Sequence, residues 1–104
     1  MKNKLHYSPD ALRDLDEIWE YIQMELSNPS AAANVVNGIL DTLDRLEDFA
    51  EMGAPLSSVA DVESNYRFIQ SGNYLAFYRP EGTDIYIDRI LYGRRDYLRI
   101  LFDK

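Results

Sequence analysis

The sequence predicts an α+β domain in which a helical hairpin covers one face of a mostly antiparallel sheet. Three observations predict it. Lys4–Tyr7 alternates polar and apolar residues, two apolar stripes with three- and four-residue steps are split by Pro29, and three aromatic and β-branched segments after Asn65 are joined by very short turns. The order is therefore β-α-α-β-β-β with a short C-terminal tail, and helices segregated from strands pack on one side of the sheet. At 104 residues the chain reads as a single domain, 1–104. A domain of that size buries roughly 60–70% of its unfolded surface, enough for a core without disulfides.

Leu5 and Tyr7 of the first strand point inward and His6 outward. Ser8-Pro9-Asp10 is a helix start: a capping hydroxyl, a proline at the first helical position, and an acid at the positive helix end. Leu12, Leu15, Ile18/Trp19, Ile22 and Leu26 form the first stripe, with Asp14, Asp16, Glu17, Glu20 and Glu25 around it. That acidic set reads as a solvated helix surface, with a docking face or a metal site as the functional alternative. Asn28-Pro29 breaks the helix and presets the next. Ala32, Val35/Val36, Ile39, Leu43, Leu46 and Phe49/Ala50 carry a second stripe to about residue 50. Gly38 inside it costs about 1 kcal/mol relative to Ala, which a close approach of backbone would explain. Residues 51–64 read as an irregular connection. Strands are predicted over 66–70, 74–79 and 83–92, with turns at Ser71-Gly72-Asn73 and Pro80-Glu81-Gly82. Leu98, Leu101 and Phe102 fit a short helical turn folded back on the sheet, whose face opposite the hairpin is otherwise expected to be open.

Composition removes several classes of function. With no Cys and one His, thiol nucleophiles, Cys-ligated metals and multi-His sites are excluded, and no cofactor is implied. Neither a membrane-spanning segment nor a secretory signal is seen, so the cytoplasm is expected. The net charge of −7 is uneven: residues 1–64 hold four Lys/Arg against thirteen Asp/Glu, and residues 65–104 hold seven against five. An acidic total argues against broad phosphate-backbone binding but leaves room for a local basic site.

Such a site is suggested by Arg89, Arg94, Arg95 and Arg99 within eleven residues, with Tyr92 and Tyr97 interleaved and Arg67 and Arg79 on neighbouring strands; six of the eight arginines follow residue 65. Guanidinium forks suit phosphate or carboxylate, and tyrosine stacks on bases or donates a hydrogen bond. The structural alternative pairs Arg89 with Asp88 or Asp84, and Arg94 and Arg95 with Asp96 or the acidic helices. His6 has a general base's chemistry but a surface strand's position. Trp19 and most of the eight tyrosines read as core, and no phosphate loop or nucleophile elbow is seen.

Gly72-Asn73-Tyr74-Leu75-Ala76-Phe77-Tyr78-Arg79 followed by Ile87-Asp88-Arg89-Ile90-Leu91-Tyr92-Gly93-Arg94-Arg95-Asp96-Tyr97 closely resembles the RelE/ParE superfamily of toxin–antitoxin toxins. Tyr7-Ser8-Pro9-Asp10-Ala11, Asp14-Leu15 and the proline break between helices are similar to the family's first half. The resemblance implies a bacterial growth-arresting toxin, of the kind that also stabilises plasmids, held inactive in a hetero-oligomer with a cognate antitoxin. Members either poison DNA gyrase or cleave messenger RNA on the ribosome without metal. This chain lacks the basic residue that nuclease members often carry near Gly72–Leu75, lacks their late tyrosine or His–Tyr pair, and has lysines only near its ends. The ParE-like, gyrase-binding branch is therefore expected, with a ribosome-dependent endonuclease and a non-toxic binding module as alternatives. The expected binding residues are Arg67, Arg79, Arg89, Tyr92, Arg94, Arg95 and Arg99. In a nuclease, Arg94 or Arg95 would contact phosphate, Arg79 would add charge and Tyr97 would assist proton transfer.

Overall fold

In the computed structural model, which describes residues 2–60, 63–93 and 96–102, the predicted order is present with two additions. The elements are β1 (Lys4–Tyr7), α1 (Pro9–Leu26), α2 (Pro29–Asp44), β2 (Ala54–Pro55), β3 (Arg67–Ser71), β4 (Tyr74–Glu81), β5 (Asp84–Tyr92) and α3 (Tyr97–Phe102). They form one five-stranded sheet, β1-β5-β4-β3-β2, in which only β1 runs parallel to its neighbour. The two-residue β2 lies within the stretch expected to be irregular.

Caps set the helix boundaries. Ser8 accepts from the Ala11 N–H at 2.9 Å and donates to the Asp88 carbonyl at 2.8 Å, so the residue that starts α1 also ties it to β5. Asn28 caps α2 through the N–H groups of Ser30 and Ala31. Ala11, Leu15, Ile18 and Ile22 of α1 and Ala32, Ile39 and Leu43 of α2 press on Ala76, Tyr78, Ile85, Ile87 and Ile90 of the sheet. Each large aliphatic side chain so buried contributes about 1.5–3 kcal/mol.

Several expectations need correction. The second helix ends at Asp44 and tightens into a 3-10 turn at Arg45–Glu47, which buries Leu46 and turns Phe49 out to 66% exposure. Leu12 and Leu26 are exposed, Leu12 lying off the stripe that Ala11, Leu15, Ile18 and Ile22 bury. Pro80 lies inside β4, not in the turn. β3 pairs with β4 only from Tyr74 to Tyr78, so at Pro80 that side of β4 has no strand neighbour to miss an N–H. A Cβ on Gly38 would find its nearest foreign atom, Ser71 Oγ, at 3.9 Å, so no close approach requires this glycine. Gly53 does require one: its Cβ would lie 2.6 Å from the Phe68 carbonyl oxygen and 2.7 Å from the Tyr78 hydroxyl.

The sheet face opposite the hairpin is only partly open. Tyr97, Leu98, Ile100 and Leu101 of α3 pack over Leu56, Phe77 and Leu91, making a second, smaller core. The tail thus folds back as its apolar residues suggested. Among the described residues, no helix is long and apolar enough to cross a membrane.

Candidate functional site

Two of the arginines expected to form a patch, Arg79 and Arg89, are drawn into the protein's own acid framework. β5 carries one residue more than β4 between Ile87 and Arg89, because Tyr78 opposes Ile87 and Phe77 opposes Arg89. This bulge re-aims Asp88 and Arg89. Arg89 donates through Nε and Nη2 to the two carboxylate oxygens of Asp14, at 2.8 and 2.9 Å. Asp14 also accepts the buried Ile90 N–H at 2.9 Å. Since β1 pairs with β5 only as far as Ile87, the Asp14 carboxylate takes the place of the next strand carbonyl. Hydrogen bonding to Asp14 raises the Arg89 guanidinium above its ordinary value, so it stays charged.

Asp14 is only 5% exposed, whereas the sequence reading placed it on the solvated face. The signal was present: it lies three residues after Ala11 and four before Ile18, on the apolar stripe itself. The expected Arg89 partners, Asp84 and Asp88, are otherwise engaged. Asp84 meets His6 Nε2 at 2.9 Å. Asp88 accepts from Arg79 Nε and from the Tyr66 hydroxyl, both at 2.8 Å. Burial, then the hydrogen bond to Asp88, pushes the Tyr66 phenol up to about 12. Hydrogen bonding to the same carboxylate raises Arg79, whose guanidinium also lies 5.3 Å from the Tyr86 ring centre and 3.3 Å from Glu81. His6 stacks on that ring at 5.0 Å. A three-strand row thus forms on the outer face, His6 on β1, Tyr86 on β5 and Arg79 on β4, with carboxylates on both flanking residues.

The remaining candidates are scattered. Arg67 Nη1 donates to the Gly53 carbonyl at 2.6 Å and holds the β2 connection. Arg99 lies exposed on α3 with its Nε 4.0 Å from Asp96. Tyr97 packs on Phe77, ring centres 5.2 Å apart, inside the smaller core. Arg94 and Arg95 lie outside the described residues. Among the described residues, no three His, Asp or Glu side chains converge as a metal site. A small cleft of about 230 Å³ opens beside Tyr66, Asp88 and Arg89 under Ile100 and Leu101.

Tyr92 belongs to a different feature, which the sequence reading missed. An open groove of about 790 Å³ runs between the C-terminal half of α1 and the adjoining ends of β4 and β5. Ile18, Tyr21, Ile22 and Leu26 form one wall and Tyr74 and Tyr92 the other. Tyr74 and Tyr92 meet edge to face at 5.8 Å. Burial, with the Tyr21 and Tyr92 hydroxyls next in effect, raises the Tyr74 phenol above its ordinary value. Tyr21 and Leu26 are each 62% exposed, so the groove presents apolar surface that none of the described residues covers.

Comparison with known proteins agrees with this architecture. The family described as "ParE toxin of type II toxin-antitoxin system, parDE" matches residues 5–97. Among solved structures, a chain of the chromosomal ParDE toxin–antitoxin system from P. aeruginosa superposes with a TM-score of 0.73 at 26% identity, covering 88% of this chain and 96% of that one. A chain of the RelBE2 toxin–antitoxin complex from Mycobacterium tuberculosis gives 0.57 at 21% identity, covering 88% and 99%, a likeness of fold. No curated protein gives a significant match. With the match running from β1 into α3, the chain belongs to the ParE toxin family of type II toxin–antitoxin systems, within the RelE/ParE superfamily.

Proposed function

We propose that this toxin arrests growth in the cytoplasm by binding DNA gyrase, as a stoichiometric poison without catalysis, and that a cognate antitoxin neutralises it in a hetero-oligomer. The observation that carries this reading is that, among the described residues, Arg79, Arg89, Tyr66 and Tyr97 are engaged within the chain itself. Cleaving RNA calls for a proton-transfer group matched to neutral pH and for cations free to meet developing phosphate charge. Here the two forward nitrogens of Arg89 serve Asp14, Arg79 serves Asp88 and Glu81, and the Tyr66 phenol sits at about 12 while donating to Asp88. Tyr97 contributes its ring to a core. Such a framework holds a surface rigid and has little to offer in proton transfer. The likeness to a ParDE toxin–antitoxin system supports an antitoxin partner.

Target contact is assigned to the cationic segment at Arg94 and Arg95, with Arg99 adding charge. The test is to induce the chain without its partner, then assay the purified protein against gyrase supercoiling and against messenger RNA in a translating extract. Filamentous arrest with inhibited supercoiling and intact message is expected, and Arg94→Ala with Arg95→Ala relieves it at equal soluble expression. Ribosome-dependent cleavage of message, or full toxicity in the double variant, overturns the respective assignment.

A further inference from the structure

The connection between α2 and β2 holds two large apolar side chains out in solvent on a backbone that is fixed in place. Phe49 is 66% exposed and Met52 38%, and with Ala50 and Glu51 they line an open hollow of about 550 Å³. Each residue from Phe49 to Gly53 has a backbone hydrogen bond. The Phe49 N–H donates to the Arg45 carbonyl and the Met52 N–H to the Phe49 carbonyl, each at 3.1 Å. The Tyr78 hydroxyl accepts from the Gly53 N–H and donates to the Ala50 carbonyl, both at 2.9 Å. Arg67 Nη1 donates to the Glu51 carbonyl at 3.3 Å and to the Gly53 carbonyl at 2.6 Å. A lone apolar residue at a surface needs no explanation. Here a buried tyrosine and a strand arginine are both committed to a turn that displays two. Its surroundings are acidic, since residues 44–51 hold four carboxylates against one arginine. Asp48 and Glu51 are exposed, and among the described residues neither has an ion-pair partner.

We infer that Phe49 and Met52 make a second contact with the target protein, seated in an apolar pocket whose rim carries Lys or Arg. A turn already in shape loses little freedom when it docks, and a desolvated aromatic anchor is the kind of side chain that dominates a protein interface. Asp48 and Glu51 set the class of partner. They repel phosphate, which sets aside the DNA of a gyrase–DNA complex as the surface this turn meets. They suit instead the cationic surface that a DNA-handling enzyme carries along its DNA path, and they steer the turn towards it during approach. The inference rests on the gyrase reading above. It adds to that reading a contact far in sequence from Arg94 and Arg95, of opposite charge, and the chemistry of the surface that receives it.

The probe is purified gyrase holoenzyme, immobilised and titrated with the full chain. Phe49→Ser should weaken binding by about tenfold or more, the factor expected for losing one buried aromatic anchor. Asp48→Asn with Glu51→Gln should slow association and flatten its dependence on salt between about 50 and 300 mM. Phe49 lies mostly in solvent, so the urea midpoint of Phe49→Ser, reported by Trp19, should match wild type and show that the fold is kept. A Phe49→Ser chain that binds gyrase as tightly as wild type overturns the inference, and so does a charge variant that associates at the wild-type rate. A wild-type dimer that Phe49→Ser turns into a monomer also overturns it, because the turn is then a contact between copies of this chain. Wild-type chain with no affinity for gyrase is a different result: it removes the gyrase reading, and this contact with it.

Discussion

Removing Asp14 should cost more stability than any other single surface-helix change, and the amount can be worked from its contacts. Truncation to Ala leaves the Arg89 guanidinium without its carboxylate and the buried Ile90 N–H without an acceptor. Breaking a buried ion pair from one side costs about 3–5 kcal/mol. The Arg89 side chain is 25% exposed and can recruit water, which places its share at the lower end, near 3 kcal/mol. The stranded amide adds about 1 kcal/mol, so Asp14→Ala should lose about 4 kcal/mol. That is a large fraction of the roughly 5–15 kcal/mol holding such a domain. Asp14→Asn keeps an acceptor for Ile90 and one for Arg89 and should lose about 1.5–2 kcal/mol. Asp14→Leu with Arg89→Met removes both charges and should be less damaging than Asp14→Ala, because only the amide is stranded. Urea unfolding followed by the fluorescence of Trp19, the only tryptophan, measures all three. An Asp14→Ala variant within 1 kcal/mol of wild type, or a double variant whose cost is the sum of its single changes, would refute the reasoning.

Gly53→Ala should destabilise by about 2–3 kcal/mol, read as a lowered urea midpoint, since its methyl meets the Phe68 carbonyl and the Tyr78 hydroxyl together. Gly38→Ala should do the reverse and raise the midpoint by the equivalent of about 0.5–1 kcal/mol, because there is room beside Ser71. Alkaline pH should unfold the protein through Tyr7 and Tyr66, both held near 12 chiefly by burial. Their folded values lie above the ordinary 10, so the stability they contribute is complete below about pH 10 and is lost as pH rises through about 12. Melting temperature followed from pH 8 to 12 checks this, and Tyr7→Phe with Tyr66→Phe should flatten the decline.

The elements were legible because each rests on local chemistry. Ser8 and Asn28 cap the helices that Pro9 and Pro29 open, and Gly72 and Gly82, with φ of 59° and 63°, turn the two hairpins. What the sequence hid depends on pairs far apart in the chain. Asp14 and Arg89 are 75 residues apart, and only the parallel placement of β1 beside β5 brings α1 to the bulge. Gly53 looks like a helix terminator until Tyr78, 25 residues on, is seen to accept its N–H and donate to the Ala50 carbonyl. The groove was illegible for the same reason: Tyr21 and Leu26 read as one helix's stripe, and Tyr92 as one strand's end, until the sheet sets them across a gap.

The acid framework also sets the charge of the two central strands. On β4 and β5 each guanidinium is matched: Arg89 by Asp14, and Arg79 by Asp88 and Glu81. These strands therefore have little positive field left over, and no phosphate or carboxylate from outside can bind Arg89's two forward nitrogens without first displacing Asp14. The end of β5 is tied to the β3–β4 turn, the Gly93 N–H bonding to the Asn73 carbonyl at 2.8 Å. At six residues α3 is too short to be helical unaided and is held by Phe77 and Leu91 beneath it. The smaller core thus does for α3 what the Asp14 pair does for β5, fixing it to the sheet.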